Sequence, residues 1–160
     1  MATVVLTVTS EYPRNHFHQQ HKGFTDDGHI YIIVIDDKIS LVGKGEDNEI
    51  VTKLFTVRCH HNNATCILIL QNPFHKNMRE CSLNAHYLLL LDTPRDKSTP
   101  TMIGRQIFPR QSFFTEAYRD SVVEKPYGQL FVDVHPKNKH LRTCVRSSIF
   151  PDKDTLVYLP

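Results

Sequence analysis

The chain has 160 residues, 40% hydrophobic and 22% charged, with 19 basic and 17 acidic side chains for a formal net charge of +2. That length supports one ordinary core and not two, and the composition excludes a disordered or fibrous chain. The near-balanced charge gives no bulk electrostatic pointer to nucleic acid, and no stretch of sequence reaches the roughly 20 apolar residues of a membrane span.

The opening residues, Met-Ala-Thr-Val-Val-Leu, lack the basic stretch of a secretion signal, so an intracellular protein without membrane contact is expected. Cys59, Cys66, Cys81 and Cys144 do not form a close-paired framework and read as reduced thiols. Residues 3–9 alternate valine, leucine and threonine, which predicts a first strand, and residues 10–29 follow as a polar, histidine-rich segment. Residues 30–37 read Ile-Tyr-Ile-Ile-Val-Ile-Asp-Asp. A continuous β-branched run of this kind predicts a strand buried on both faces of a parallel sheet. Carboxylates at the C-terminal end of such a strand can hold a divalent cation and orient a water, which makes Asp36 and Asp37 the first candidates for chemistry.

Residues 46–61 place Ile50, Leu54, Val57 and Cys59 at helical spacings behind acidic first-turn residues, predicting a helix. Residues 64–70 predict a short apolar strand that stops at Gln71-Asn72-Pro73, and residues 86–91 predict another, closed by Asp92-Thr93-Pro94. Helices are expected over residues 96–108 and 110–123, separated by Pro109. Leu130, Val132 and Val134 alternate in a strand over residues 127–134, and residues 141–145 and 156–158 read as edge elements. Strands interleaved with helices predict an α/β fold, a parallel sheet with flanking helices, whose ligands sit beyond the strand C-termini. Asp36, Asp37, Gln71, Asn72 and Asp92 all fall at such ends. The predicted organisation is residues 1–29, an N-terminal strand and polar segment, followed by one domain over residues 30–160.

Several motifs share an order: Ile-Val-Ile-Asp-Asp at 33–37, Leu-Phe-Thr-x-Arg-x-His-His-Asn-Asn at 54–63, the apolar strand into Gln71-Asn72, Arg79, and Leu-Asn-Ala-His-Tyr at 83–87. From about residue 30 to 150 this resembles the second half of the FtsK/HerA-type DNA-packaging ATPases of large DNA viruses and virus-derived elements, poxvirus, Polinton-like and adintovirus-like. The resemblance implies a partial RecA-like P-loop NTPase fold, with Mg²⁺ and ATP as cofactors, double-stranded DNA as partner and a homo-oligomeric ring as the assembly. It implies that Asp36 holds the water shell of Mg²⁺, Asp37 polarises the attacking water and Gln71 senses the γ-phosphate. Either Arg58 or Arg105 is then the arginine finger acting in trans.

One part of that family pattern is missing. The phosphate loop Gly-x-x-x-x-Gly-Lys-Ser/Thr binds phosphates through backbone N–H groups and a lysine, and it stands well upstream of the acidic strand. Gly23 and Gly28 have the glycine spacing, yet His29 and Ile30 stand where lysine and serine belong, and Gly43-Lys44-Gly45 follows Asp36 instead of preceding it. The expectation is a truncated or decayed relative, or a domain completed by another polypeptide, that hydrolyses ATP poorly or not at all alone. Apolar surface left by the missing strand–helix unit is expected to be exposed.

Each feature also has a plainer reading. An acidic pair after a strand can be a solvated strand end, Gln71-Asn72-Pro73 a turn, and Arg58 a helix surface charge. Asp36-Asp37-Lys38 has the Asp-x-Lys form of metal-dependent nucleases, with Asp26 or Asp27 as a further ligand and Lys38 polarising the phosphate. Cys59, His60, His61 and Cys66, joined by His75, Cys81 or His86, outline a zinc set, although thiols on a helix and a buried strand behave as small hydrophobes. Lys137, Lys139, His140, Arg142 and Arg146 suit a non-catalytic, DNA-binding or ring-associated module that touches phosphates without reading sequence.

Overall fold

The computed structural model describes residues 4–8, 31–36, 46–59, 64–108, 111–123, 125–138, 144–149 and 155–160. Seven strands form one mixed sheet: β1 (Val4–Val8), β2 (Tyr31–Asp36), β3 (Ala64–Leu70), β4 (Tyr87–Leu91), β5 (Gln129–Asp133), β6 (Val145–Arg146) and β7 (Val157–Tyr158), in the order β2-β3-β1-β4-β5-β6-β7. Among the described residues only β2 and β3 pair in parallel; β1 runs antiparallel to both its neighbours, and the later pairings are antiparallel. The fold is α/β as expected, but its sheet is mixed, which corrects the expectation of a parallel one. An apolar run records burial and not direction, and here the N-terminal strand enters the middle of the sheet against the grain. Because β1 opposes both β3 and β4, the strands β2, β3 and β4 still point the same way and end at a common rim.

Among the described residues four α-helices lie between these strands: α1 (Glu46–Lys53), α2 (Arg79–Asn84), α3 (Ser98–Ile107) and α4 (Gln111–Tyr118). Helix α1 continues directly into a π-helical turn, Leu54–Arg58, and α4 into another, Arg119–Val123. A local cause for the first is on the chain: the Thr56 hydroxyl donates to the Thr52 carbonyl oxygen at 2.9 Å, and this back-bonding loosens the ladder. Helix α2, preceded by a short 3₁₀ turn over Lys76–Met78, was not foreseen from the sequence; it buries Cys81 and leaves Leu83 exposed. Between α3 and α4, Phe108 takes an extended conformation (φ −120°, ψ 133°), as the residue before Pro109 is pushed to do.

All four helices contribute to one core of the described residues, packed on one face of the sheet. Its floor is made by Ala64, Cys66, Leu68 and Leu70 of β3, Leu88 and Leu90 of β4, Leu130 and Val132 of β5, and Val145 of β6. Phe55, Met78, Cys81, Ile103 and Phe114 press on that floor from the helices and their turns. The strand register puts the alternate residues on the other face, including Ile67, Ile69, Leu89 and Leu91. There Ile32 and Val34 of β2 are 67% and 59% exposed, which corrects the reading of residues 30–35 as buried on both faces. Farther along the same face, the Arg146 guanidinium lies 4.7 Å over the Phe131 ring, which stacks on Tyr87 at 5.6 Å, which stacks on His135 at 5.9 Å.

Helix α3 is fastened by one side chain. Asp96 Oδ1 accepts from the Ser98 and Thr99 amides at 3.0 and 3.1 Å and from the Ser98 hydroxyl at 2.8 Å, while Oδ2 accepts from the Thr99 hydroxyl. Burial pushes this carboxyl up, but the hydrogen bonds from Thr99 and Ser98 outweigh it and hold it below its ordinary value. A depressed folded value stabilises the fold above the unfolded-chain pKa of about 3.9 and loses that contribution as pH falls through the folded value. Asp96→Ala is therefore expected to cost about 1 kcal/mol in denaturant unfolding at neutral pH, with the gap to the wild type closing below about pH 4.

Candidate functional site

The acidic strand and the glutamine expected to face it meet at the common rim. Asp36 is the last residue of β2, it is exposed, and it pairs in register with Ile69 of β3. Gln71 follows the end of β3, two residues beyond Ile69, and is also exposed. With strands about 4.8 Å apart and a rise of about 3.3 Å per residue, the two backbones lie about 8 Å apart. Neighbouring side chains at that spacing can share one small ligand.

The remaining rim residues have structural duties. The Asn72 carbonyl Oδ1 accepts from the Phe74 amide at 2.9 Å, closing the turn after β3. Asp92 pairs with Lys97 at 3.1 Å, with side chains 41% and 57% exposed, so the pair contributes less than about 1 kcal/mol. Beside it the Tyr118 hydroxyl donates to the Leu91 carbonyl oxygen at 3.1 Å. Burial first, then the Asp92 and Asp96 carboxylates, push that phenol up to about 12, so it remains a donor throughout the physiological range.

The candidate arginines lie elsewhere. Arg58 ends the π-helical turn that precedes β3 in the chain, and the length of β3 places its first residue about 23 Å from Gln71. Arg105 sits exposed in the last turn of α3. Neither is brought to the rim within one chain by these elements. Asp37 lies outside the described residues, as do Lys38, Asp26 and Asp27 of the nuclease reading and Gly23, Gly28, Gly43, Lys44 and Gly45 of the phosphate-loop comparison.

The cysteines behave as core. Cys59, Cys66 and Cys81 are fully buried, and the Cys66 thiol donates to Cys59. That bond pushes Cys66 up and holds Cys59 down, while burial pushes Cys81 up to about 11. Among the described residues no three His, Cys, Asp or Glu side chains gather as a metal group; His60 and His61 lie outside them. Of the basic stretch, Arg146 is committed to Phe131, Lys137 is exposed, and Lys139, His140 and Arg142 lie outside the described residues. No described helix is long and apolar enough to cross a membrane.

One feature escaped the sequence reading, which placed Tyr127 at the head of a strand. Residues 125–128 instead form a tight turn closed by the Gly128 amide on the Lys125 carbonyl oxygen at 3.0 Å, with Tyr127 at φ 57° and 100% exposed. The turn borders an open recess of about 290 Å³ lined by Ser121, Lys125, Gln129, Ser147 and Ser148 among others. Pro126 and Gly128 mark a turn in the sequence, since proline suits its second position and glycine its fourth, but nothing in tyrosine signals the positive φ of the third. No protein family, curated protein or solved structure matches the chain.

Proposed function

We propose that this chain is the acidic-strand and sensor portion of a RecA-like, DNA-translocating ATPase of the FtsK/HerA packaging type, and that it is catalytically weak by itself. The observation that supports this reading is the parallel β2–α1–β3 unit, which ends with Asp36 and Gln71 at one rim on adjacent strands. The acidic residue and the amide then face the same phosphate-bearing ligand. Asp36 suits Mg²⁺ held through its water shell, because Mg²⁺ keeps several waters and takes only one or two carboxylates. Phosphoryl transfer depends on positioning and charge neutralisation, so Asp36 acts by fixing the cation and Gln71 by hydrogen bonding to the terminal phosphate.

Arg58 precedes β3 while Gln71 follows it, and such a placement suits a finger that serves a neighbouring copy. The ring, double-stranded DNA and a virus-derived origin rest on the sequence resemblance. With no Gly-x-x-x-x-Gly-Lys-Ser/Thr motif in the 160 residues, the main source of phosphate affinity is missing. Titration of the full chain with Mg-ATP is expected to give saturable binding near the millimolar range, about −4 kcal/mol, that weakens in Asp36→Asn and in Gln71→Ala. Micromolar affinity indifferent to both substitutions contradicts the proposal.

A further inference from the structure

We propose that the Lys125–Gly128 turn presents Tyr127 as a stacking platform for an unpaired base of single-stranded nucleic acid, with Lys125 receiving that nucleotide's phosphate at the adjacent recess. One residue of this turn works against the fold. Tyr127 occupies the left-handed region at φ 57°, where a side chain with a Cβ is strained and glycine or asparagine is preferred. Its ring is 100% exposed, so no burial offsets that strain. The glycine of the turn stands one residue later, where a Cβ at Gly128 would lie 2.3 Å from the Ser121 carbonyl oxygen.

Packing at Gly128 and the ring of Pro126 hold the turn rigid, so the phenol is aimed outward without further ordering. Strained residues presented on rigid supports concentrate at binding sites. The surroundings select the ligand. Lys125, Gln129, Ser147 and Ser148 offer an ammonium, an amide and hydroxyls, and among the described residues no carboxylate lines the recess. A cationic, hydroxyl-lined recess beside an exposed aromatic ring matches how single strands are held, by sequence-tolerant base stacking and phosphate contact. The recess is open to solvent, which leaves both neighbours of the stacked nucleotide free to continue as a chain. The site lies at β5, four strand intervals or about 19 Å across the sheet from Asp36, and it stands whether or not the acidic rim holds nucleotide.

The test is fluorescence anisotropy of a labelled oligothymidylate of about a dozen nucleotides with the full chain. Tyr127→Phe is expected to bind like the wild type, because stacking needs the ring and not the hydroxyl. Tyr127→Ala and Tyr127→Gly are expected to bind about tenfold more weakly. Tyr127→Gly should also melt at or above the wild-type temperature, since it relieves the strained backbone, which separates lost binding from lost folding. Lys125→Gln is expected to lower the salt slope by about 0.7, one phosphate's worth. Binding that survives Tyr127→Ala, absence of binding by the wild type, or a duplex bound as tightly with the same dependence on Tyr127 overturns the proposal. Thymidine monophosphate bound as tightly as the oligonucleotide also overturns it, because the site would then be one for a free nucleotide.

Discussion

Phe114→Ala is expected to destabilise the protein by about 3–5 kcal/mol, lowering its melting temperature by roughly 10 °C. Phe114 is among the largest fully buried side chains, and it lies where α3 and α4 meet. A Cβ at Gly104 of α3 would lie 2.8 Å from Phe114 Cδ1, so the ring fills the space a side chain there would otherwise take. Phe108 stacks on it at 5.7 Å. Truncation removes the ring's transfer free energy and opens a void, since rigid helices on a sheet close such a gap only in part. Phe114→Leu keeps most of the volume and is expected to cost less than half as much. Equal losses for the two variants, read by denaturant unfolding with unchanged slope, would show that volume at this junction is not what matters.

Gly128→Ala is the second large effect, and it arises from the opposite cause. The added methyl would meet only backbone: Ser121 O at 2.3 Å, and Val122 Cα and O at 2.8 Å. A flexible side chain could swing aside, but the π-helical turn after α4 cannot, and it is further tied to β5 by the Ser121 hydroxyl donating to the Gln129 carbonyl oxygen. Overpacking of this kind costs about 1–3 kcal/mol, and the contacts place this case at the upper end. A loss below about 0.5 kcal/mol in denaturant unfolding would mean that the turn does not lie against Ser121.

Much of the architecture was legible because apolar runs and punctuation agree. Residues 64–70 alternate nothing but apolar side chains and threonine up to Gln71-Asn72-Pro73, and the strand ends where that signal says. Pro109 separates two helices at the residue expected from its missing N–H. Strand direction was not legible, because the placement of β1 between β3 and β4 is a long-range pairing that no local pattern encodes. The face that meets the described helices was hidden for a related reason: Ile32 and Val34 are as apolar as Ile33 and Ile35, so periodicity could not choose between them.

At the candidate site, the placement of Asp36 beside Gln71 follows from two strands joined by a helix, which run parallel and end at one rim. The same logic, carried one step further, could have placed Arg58: a helix returning from that rim ends at the opposite one. The turn at Tyr127 was hidden by composition, since tyrosine favours strands and its backbone angle appears only in three dimensions. Ile32 and Val34 leave part of one face of β2 apolar and exposed.

Asp36 and Gln71 end adjacent parallel strands at one rim, which we propose faces Mg²⁺ and phosphate. The most direct measurement is the amide spectrum of the ¹⁵N-labelled full chain during titration with ATP, with and without Mg²⁺. The Asp36 and Gln71 signals are expected to shift together along one binding curve, only when Mg²⁺ is present, while the Arg58 signal stays still. Signals at Asp36 and Gln71 that do not move, or that follow separate curves, contradict the proposal.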